Sequence, residues 1–228
     1  MKLGADYWKL WTASVTSNLG DGISTVAYPW LASAVTRDPI QIAGIAVATR
    51  LPWLIFTLPA GVITDRLDRR KLIVAMDVAR MLITVGVALS VLALGRDLVA
   101  PDDPAAVSAQ PENGPALLLV LYASALLFGF AEVLRDNAAQ TILPSIVDAD
   151  LLETANGRMW GAEMVMNSFI GPPLGGLLIA VGFSIPFFFD AGTFGIAAAL
   201  IAAIGGLGLR SERASRPERR GFRDELSE

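Results

Sequence analysis

The sequence predicts an all-α membrane protein with six transmembrane helices, and three observations carry that prediction. First, 54% of the 228 residues are hydrophobic and only 18% are charged, with a mean hydropathy of +0.53. Second, the apolar residues do not come in the short periodic sets of a soluble core. They come in runs near the length that crosses a bilayer, about 20 residues at 1.5 Å each. Third, short polar or charged segments separate these runs.

The elements follow in order. Span one runs from about Trp8 to Leu31, and Thr36-Arg37-Asp38-Pro39 turns the chain. Span two covers about Ile40 to Ile63, and Asp65 to Lys71 forms a tight charged loop. Span three covers about Leu72 to Leu94. Gly95 to Pro115, with four prolines and several acids, has no helical pattern. Span four runs from about Ala116 to Ala139, followed by a polar connection from Thr141 to Gly157. Within it, Asp150 and Glu153 have N-cap and N3 spacing, which predicts a helix start. Span five covers about Arg158 to Val181, Phe183 to Pro186 turns, and span six covers about Phe187 to Leu209. The organisation expected is a six-helix domain over 1–209 and a polar, disordered cytoplasmic tail over 210–228.

Composition excludes several chemistries. With no cysteine and no histidine there are no disulfides, thiolate nucleophiles, Cys/His zinc sites or His-ligated haem. No metal or other cofactor is expected, and the clustered carboxylates lie inside spans without ligand spacing, so an enzyme is not expected. A net charge of −4 gives no reason to expect nucleic acid. Met1-Lys2-Leu3-Gly4 lacks the pattern of a cleaved signal peptide, so the first span is expected to be retained.

Lys and Arg set the orientation. Lys2, Lys9, Arg66, Arg69, Arg70, Lys71, Arg158 and the six arginines of the tail fall on one side; only Arg37 and Arg96 fall on the other. That asymmetry predicts a multi-pass plasma-membrane protein with both termini cytoplasmic and the 95–115 connection outside.

Polar residues inside the spans nominate the site. Ser14, Ser17 or Asn18, Asp21, Ser24 or Thr25, and Tyr28 recur every three to four residues, which puts them on one face of span one. Such a face either lines a cavity (Asn18, Thr25, Tyr28) or hydrogen-bonds to neighbouring helices. Asp21 and Arg50 are the two charges nearest the bilayer centre, where an unpaired charge costs about 3 kcal/mol. They either pair with each other or take part in transport, one of them titrating or binding substrate. A second cluster, Asp77, Arg80, Glu132, Arg135, Asp136 and Glu163, lies nearer the cytoplasmic side, its members at depths that match one another. It reads either as an ion-pair lattice or as a proton relay through Glu132 or Glu163. Asp190, near an end of span six, reads as a snorkelling or capping residue. In span five, Gly171 and Gly175 share a face suited to close helix contact, and Pro172 and Pro173 predict a kink.

Two motifs resemble those of a known family. Gly61-Val62-Ile63-Thr64-Asp65-Arg66-Leu67-Asp68-Arg69-Arg70 resembles the G-x-x-x-D-R-x-x-R-R signature of the major facilitator superfamily, in the same loop between spans two and three. Gly171-Pro172-Pro173-Leu174-Gly175-Gly176 resembles the G-P-x-x-G-G core that marks antiporters of that superfamily in span five. Asn167 stands where the family pattern often has a further glycine. Ser17 to Gly22, Leu51-Pro52, Leu143-Pro144 and Ala155-Asn156 look like the branch that includes enterobactin-type siderophore exporters and macrolide efflux pumps.

The resemblance covers residues 8–209. It implies one half of a major facilitator fold, a three-plus-three helix pseudo-repeat with a midplane substrate site and alternating access. It also implies a cytoplasmic latch of Gly61, Asp65, Arg66 and Arg70, and an antiporter-like element of Gly171, Pro172, Gly175 and Gly176. The function implied is proton-driven export of a small amphipathic molecule such as a drug or siderophore. The implied partners are the lipid bilayer, the substrate, protons, and a second six-helix half supplied by a homodimer or a separate chain. A non-transporting remnant and a six-span assembly or regulatory protein are the alternatives. A permease of an ATP-driven exporter is disfavoured, because the inner loops are short.

Overall fold

The computed structural model describes residues 3–99 and 111–205. Among the described residues it is helical, with no strand. The helices are α1 (Ala5–Val35), α2 (Pro39–Arg66), α3 (Arg69–Leu94), α4 (Gly114–Ile146), α5 (Leu152–Met164), α6 (Gly171–Val181) and α7 (Ile185–Ala202). A 3₁₀ turn, Ala149–Leu151, leads into α5, and a π-helical stretch, Val165–Ile170, joins α5 to α6.

Five helical runs are long and apolar enough to cross a membrane: α2, α3, α4, the continuous run Ala149–Val181, and α7. The sixth expected span, α1, is a 31-residue helix, about 46 Å long at 1.5 Å per residue. Its polar stripe keeps it out of that apolar set.

Local chemistry sets the ends. Thr36 leaves α1 in an extended conformation, its N–H still bonded to Ala32 O at 2.8 Å. Two residues later Asp38 caps α2, accepting from Ile40 N at 2.9 Å, with Pro39 supplying a pre-set first turn. Asp68 caps α3 in the same way, accepting from Lys71 N at 3.0 Å. The α2–α3 loop is short because α2 runs to Arg66 and Asp68 already caps α3, leaving only Leu67 and Asp68 between the helices. The expected polar connection after span four is largely helix. α4 continues to Ile146, with Thr141 and Ser145 hydroxyls donating back to Asn137 O (3.1 Å) and Ile142 O (2.6 Å). A helix does start near Asp150, but α5 opens at Leu152 with no side-chain cap. The end of span six beyond residue 205, and the tail, lie outside the described residues.

α1 is the hub. It packs against α7, α6, the π stretch and α4, while α3 packs against α4 and α7, and α2 against α4. Two apolar clusters fill the bundle. One gathers Tyr7, Leu10, Ile73, Ile142 and Ile201 near the start of α1. The other gathers Leu31, Ile45, Val87, Leu121 and Phe187 near its end. Between them α1 presents Ser14, Ser17, Asp21 and Ser24 to the bundle, three of these being buried. The polar stripe thus occupies the layer between two apolar cores.

Helix contact without a hydrophobic driving force depends on small residues. At the α1–α6 crossing, a Cβ on Gly171 would sit 2.6 Å from Gly22 Cα, and one on Gly22 would sit 2.9 Å from Gly171 Cα. Backbone lies on backbone there, and only glycine on both sides allows it. Pro172 and Pro173 remove two donors in succession. The helix accommodates this by widening: Gly171 N bonds back five residues to Met166 O, so the expected distortion takes the form of a π segment.

The candidate cavity and its ionic floor

A cavity of about 200 Å³ opens halfway along α1. α1 contributes Asp21, Ser24, Thr25, Tyr28 and Pro29, and α2 contributes Ile45, Ala46, Thr49 and Arg50. α4 adds Ala125, Phe128 and Glu132, and the π stretch adds Asn167. The one-faced spacing of the α1 residues explains why that helix supplies the most polar wall.

The hydroxyls have defined duties. Thr25 Oγ1 donates to Gly22 O at 2.7 Å and Thr49 Oγ1 to Ile45 O at 3.0 Å. Both therefore turn lone pairs and methyl groups to the cavity. Tyr28 OH donates to Ser124 Oγ at 3.2 Å, and its ring meets Phe187 edge-on at 5.3 Å. Glu132 neighbours the buried Trp53 indole N–H. Neither Glu132 nor Arg50 has an ion-pair partner among the described residues. The cavity thus offers two carboxylates, Asp21 held by Arg80 and Glu132 outside any ion pair, one guanidinium, two aromatic rings and hydroxyl acceptors to an occupant.

The expected pairing of Asp21 with Arg50 does not form. Asp21 pairs with Arg80 of α3. Arg80 is fully buried, donates to Ser17 Oγ at 3.0 Å, and lies over two adjoining rings, Phe194 at 4.0 Å and Phe128 at 4.7 Å from its guanidinium carbon. Arg80 also lies 3.7 Å from Asp77 Oδ1, which Arg135 approaches at 3.5 Å. Arg135 reaches Asp136 at 3.0 Å and Ser14 Oγ at 3.4 Å. Asp21, Arg80, Asp77, Arg135 and Asp136 from the two expected charge sets therefore form one network, joined through Asp21 and Arg80. It underlies the cavity and meets it at Asp21, while Arg50, Glu132 and Glu163 make no ion pair with it among the described residues. The Asp77 oxygens and the Nε atoms of Arg80 and Arg135 are buried without a hydrogen-bond partner. Charge is balanced here by proximity more than by directed hydrogen bonds.

Other expected residues fall elsewhere. Asn18 is not in the cavity wall; it donates to Ser14 O at 2.9 Å and accepts from Asn167 Nδ2 at 3.4 Å. Glu163 also lies outside the lining. Asp190 neither snorkels nor caps: it is fully buried against α1, accepting from Ser24 Oγ at 2.6 Å. In the α2–α3 loop, Asp65 is largely exposed and 3.9 Å from Arg69. Arg69 donates to Thr141 O at 3.0 Å and Arg70 to Ala202 O. A Cβ on Gly61 would meet nothing, so Gly61 and Asp65 face away from the bundle.

Sequence reasoning placed Arg80 too shallow because it began span three at Leu72. Starting α3 at Arg69, behind the Asp68 cap, puts Arg80 three turns in, where a long side chain reaches Asp21. No comparable signal marked Asp190, whose role depends on which helix faces it.

Comparison with known proteins agrees with these motifs. Residues 5–219 match the family described as transmembrane secretion effector, of the major facilitator superfamily. The multidrug efflux pump Tap of Mycobacterium tuberculosis is 31% identical over 195 residues, 84% of this chain and 42% of that protein. Tap of Mycolicibacterium fortuitum is 31% identical over 170 residues, 74% of this chain and 37% of that protein. An uncharacterised MFS-type transporter of Mycobacterium tuberculosis is 34% identical over 128 residues, 54% of this chain and 27% of that protein. The chain thus spans less than half the length of the curated relatives it matches. No solved structure gives a significant match. With the charged α2–α3 loop, the glycine crossing and the cavity between them, these matches mean that the chain belongs to the transmembrane secretion effector family of major facilitator transporters.

Proposed function

We propose that the chain is a six-span unit, equivalent to the N-terminal half of an exporter, that moves a small amphipathic molecule such as a drug or siderophore outward by alternating access. The observation that carries this reading is the cavity itself. The polar face of α1 forms its wall, and Glu132 and Arg50 line it without an ion-pair partner. Apolar rings beside single charges of each sign suit an amphipathic occupant. Relatives named as multidrug efflux pumps support the direction of transport.

In this reading α1 is the sixth span, tolerated in lipid because its polar residues face the bundle. The helices divide three and three, and both termini are cytoplasmic. A cavity of about 200 Å³ is smaller than the ~300 Å³ at which drug-sized pockets begin, so a second six-helix half completes it. That half is another copy or a separate chain. It would cover α2, whose Leu54 and Leu58 are 85% and 87% exposed, and would meet Gly61, Asp65, Arg66 and Arg70 as a latch. Proton antiport supplies the driving force, with Asp21, Arg50, Glu132 and Glu163 as the charged groups available to couple it.

Dye efflux measured in inverted vesicles tests the proposal. Uptake into the vesicles should collapse when a protonophore removes the proton gradient. Flux that survives the protonophore removes antiport, and absence of any flux above empty vesicles removes export.

A further inference from the structure

We propose that Asp190 is a proton-carrying site, exchanging its proton with the cavity through the Ser24 hydroxyl.

Asp190 is fully buried in α7 where that helix packs on α1. Its side-chain partners are two hydroxyls, Ser24 Oγ at 2.6 Å and its own helix neighbour Thr193 Oγ1 at 3.4 Å. No Lys or Arg lies within ion-pair distance among the described residues. The charged and titratable groups facing it are few. On α1 they are Asp21 and Tyr28, and on α3 Arg80; α6 contributes none, its sequence being apolar. Arg80 is already engaged by Asp21 and Asp77, and Asp21 is a like charge. An ionised carboxylate in this setting is buried with no counter-ion among the described residues, whereas a protonated Asp190 can donate its Oδ2 proton to Ser24 Oγ once that hydroxyl turns its own hydrogen away.

The site is built to be there. Gly20 makes the room: a Cβ on it would collide with Asp190 Oδ1 and Thr193 Oγ1. It also has an outlet, because Ser24 both contacts Asp190 and lines the cavity. A hydroxyl can accept a proton from the acid on one side while releasing its own on the other. The proton on Asp190 Oδ2 passes to Ser24 Oγ as the Ser24 hydrogen leaves into the cavity; the reverse steps reload it. Asp21, one helical turn back on α1, lines the same cavity.

The proton-holding role stands without the transport reading; only its use in coupling rests on that reading. The test is infrared spectroscopy of the full chain in lipid bilayers across neutral pH. Wild type should show a protonated-carboxyl C=O band at neutral pH that is missing from Asp190→Asn. In Ser24→Ala the band should shift in frequency, and its response to a pH jump should slow by at least about tenfold, the effect of losing one hydrogen bond to the transferring group. If Asp190→Asn does not fold, Ser24→Ala carries the test alone. A wild-type spectrum identical to that of Asp190→Asn in the carboxyl region overturns the proposal. So does a Ser24→Ala protein with an unshifted band and unchanged exchange. Vesicles that show no dye flux but do show the Asp190 band would reject the exporter and leave the proton site standing.

Discussion

Arg80 on α3 pairs with Asp21 on α1, while Arg50, the cation nearest to Asp21 in estimated depth, lines the cavity with no ion-pair partner among the described residues. The difference lies in what surrounds each guanidinium. Arg80 lies against the adjoining rings of Phe128 and Phe194, which attract a cation while excluding water. Arg50 sits on α2, whose apolar side chains Leu54, Ile55 and Leu58 are exposed. Removing Arg80 leaves Asp21 without its ion-pair partner and Asp77 with Arg135 alone. Breaking a buried pair from one side costs about 3–5 kcal/mol. Arg80→Met should therefore lower the thermal unfolding midpoint in detergent sharply, while Arg50→Met should stay within about 0.5 kcal/mol of wild type. Equal effects of the two substitutions would mean that the ionic floor does not carry the fold.

The α1–α6 crossing makes a second prediction. Gly22 and Gly171 meet backbone to backbone, whereas a Cβ on Gly176 would meet nothing within 4 Å. Gly171→Val should separate the helices, with the loss of several kcal/mol expected for overpacking against a rigid partner. Gly176→Ala should be neutral or slightly stabilising, because alanine is the better helix former by about 1 kcal/mol. Both belong to the same G-P-x-x-G-G segment, so a thermal-stability comparison separates packing glycines from any other role. Equal sensitivity at the two positions would contradict the geometry.

These two cases show what was legible in the sequence. Hydropathy and loop charge marked the long apolar runs but not the extension of α4 to Ile146, and the four-residue spacing of Gly171 and Gly175 announced a close contact. The spacing did not say which helix it would meet. Partner choice among buried charges was also hidden, since depth can be counted along a helix but azimuth relative to another helix cannot. Asp21 therefore looked equally suited to Arg50, and Asp190 looked peripheral because its helix is entered from the near end. Asn18 failed for a related reason: it lies on the polar arc of α1 but toward the π stretch, where Asn167 meets it.

The α2–α3 loop predicts a separation of stability from activity. Asp65 is 3.9 Å from Arg69 with its side chain 72% exposed, a pair whose worth in such a setting is at most about 0.5 kcal/mol. Asp65→Asn should leave the unfolding midpoint essentially unchanged. If Asp65 belongs to a latch engaging a second half, dye efflux should nevertheless fall severely in vesicles. Retained efflux would remove the latch from the mechanism, and a large loss of stability would reassign Asp65 to a structural role. Asp68, one loop position from the helix, behaves oppositely. It caps α3, and Asp68→Ala should cost about 1 kcal/mol.

Asn167 offers the sharpest separation of cavity chemistry from packing. Its side chain lines the cavity and reaches Asn18 at 3.4 Å, a long hydrogen bond at the edge of useful geometry. It also stands inside the π segment that precedes Pro172, four residues before Gly171. Asn167→Gly removes that bond and adds backbone freedom, so a stability loss of about 1 kcal/mol is expected. It also enlarges the cavity on the side facing Asp21 and deletes a neutral polar group from the wall. Affinity for a fluorescent amphipathic dye, measured by quenching titration in proteoliposomes, should shift by several-fold, with bulkier dyes gaining relative to smaller ones. Asn18→Ala serves as the control, since it breaks the same hydrogen bond without touching the cavity wall. If the two substitutions alter dye affinity equally, the Asn18–Asn167 bond is what matters. If only Asn167→Gly does, the side chain acts directly on the occupant.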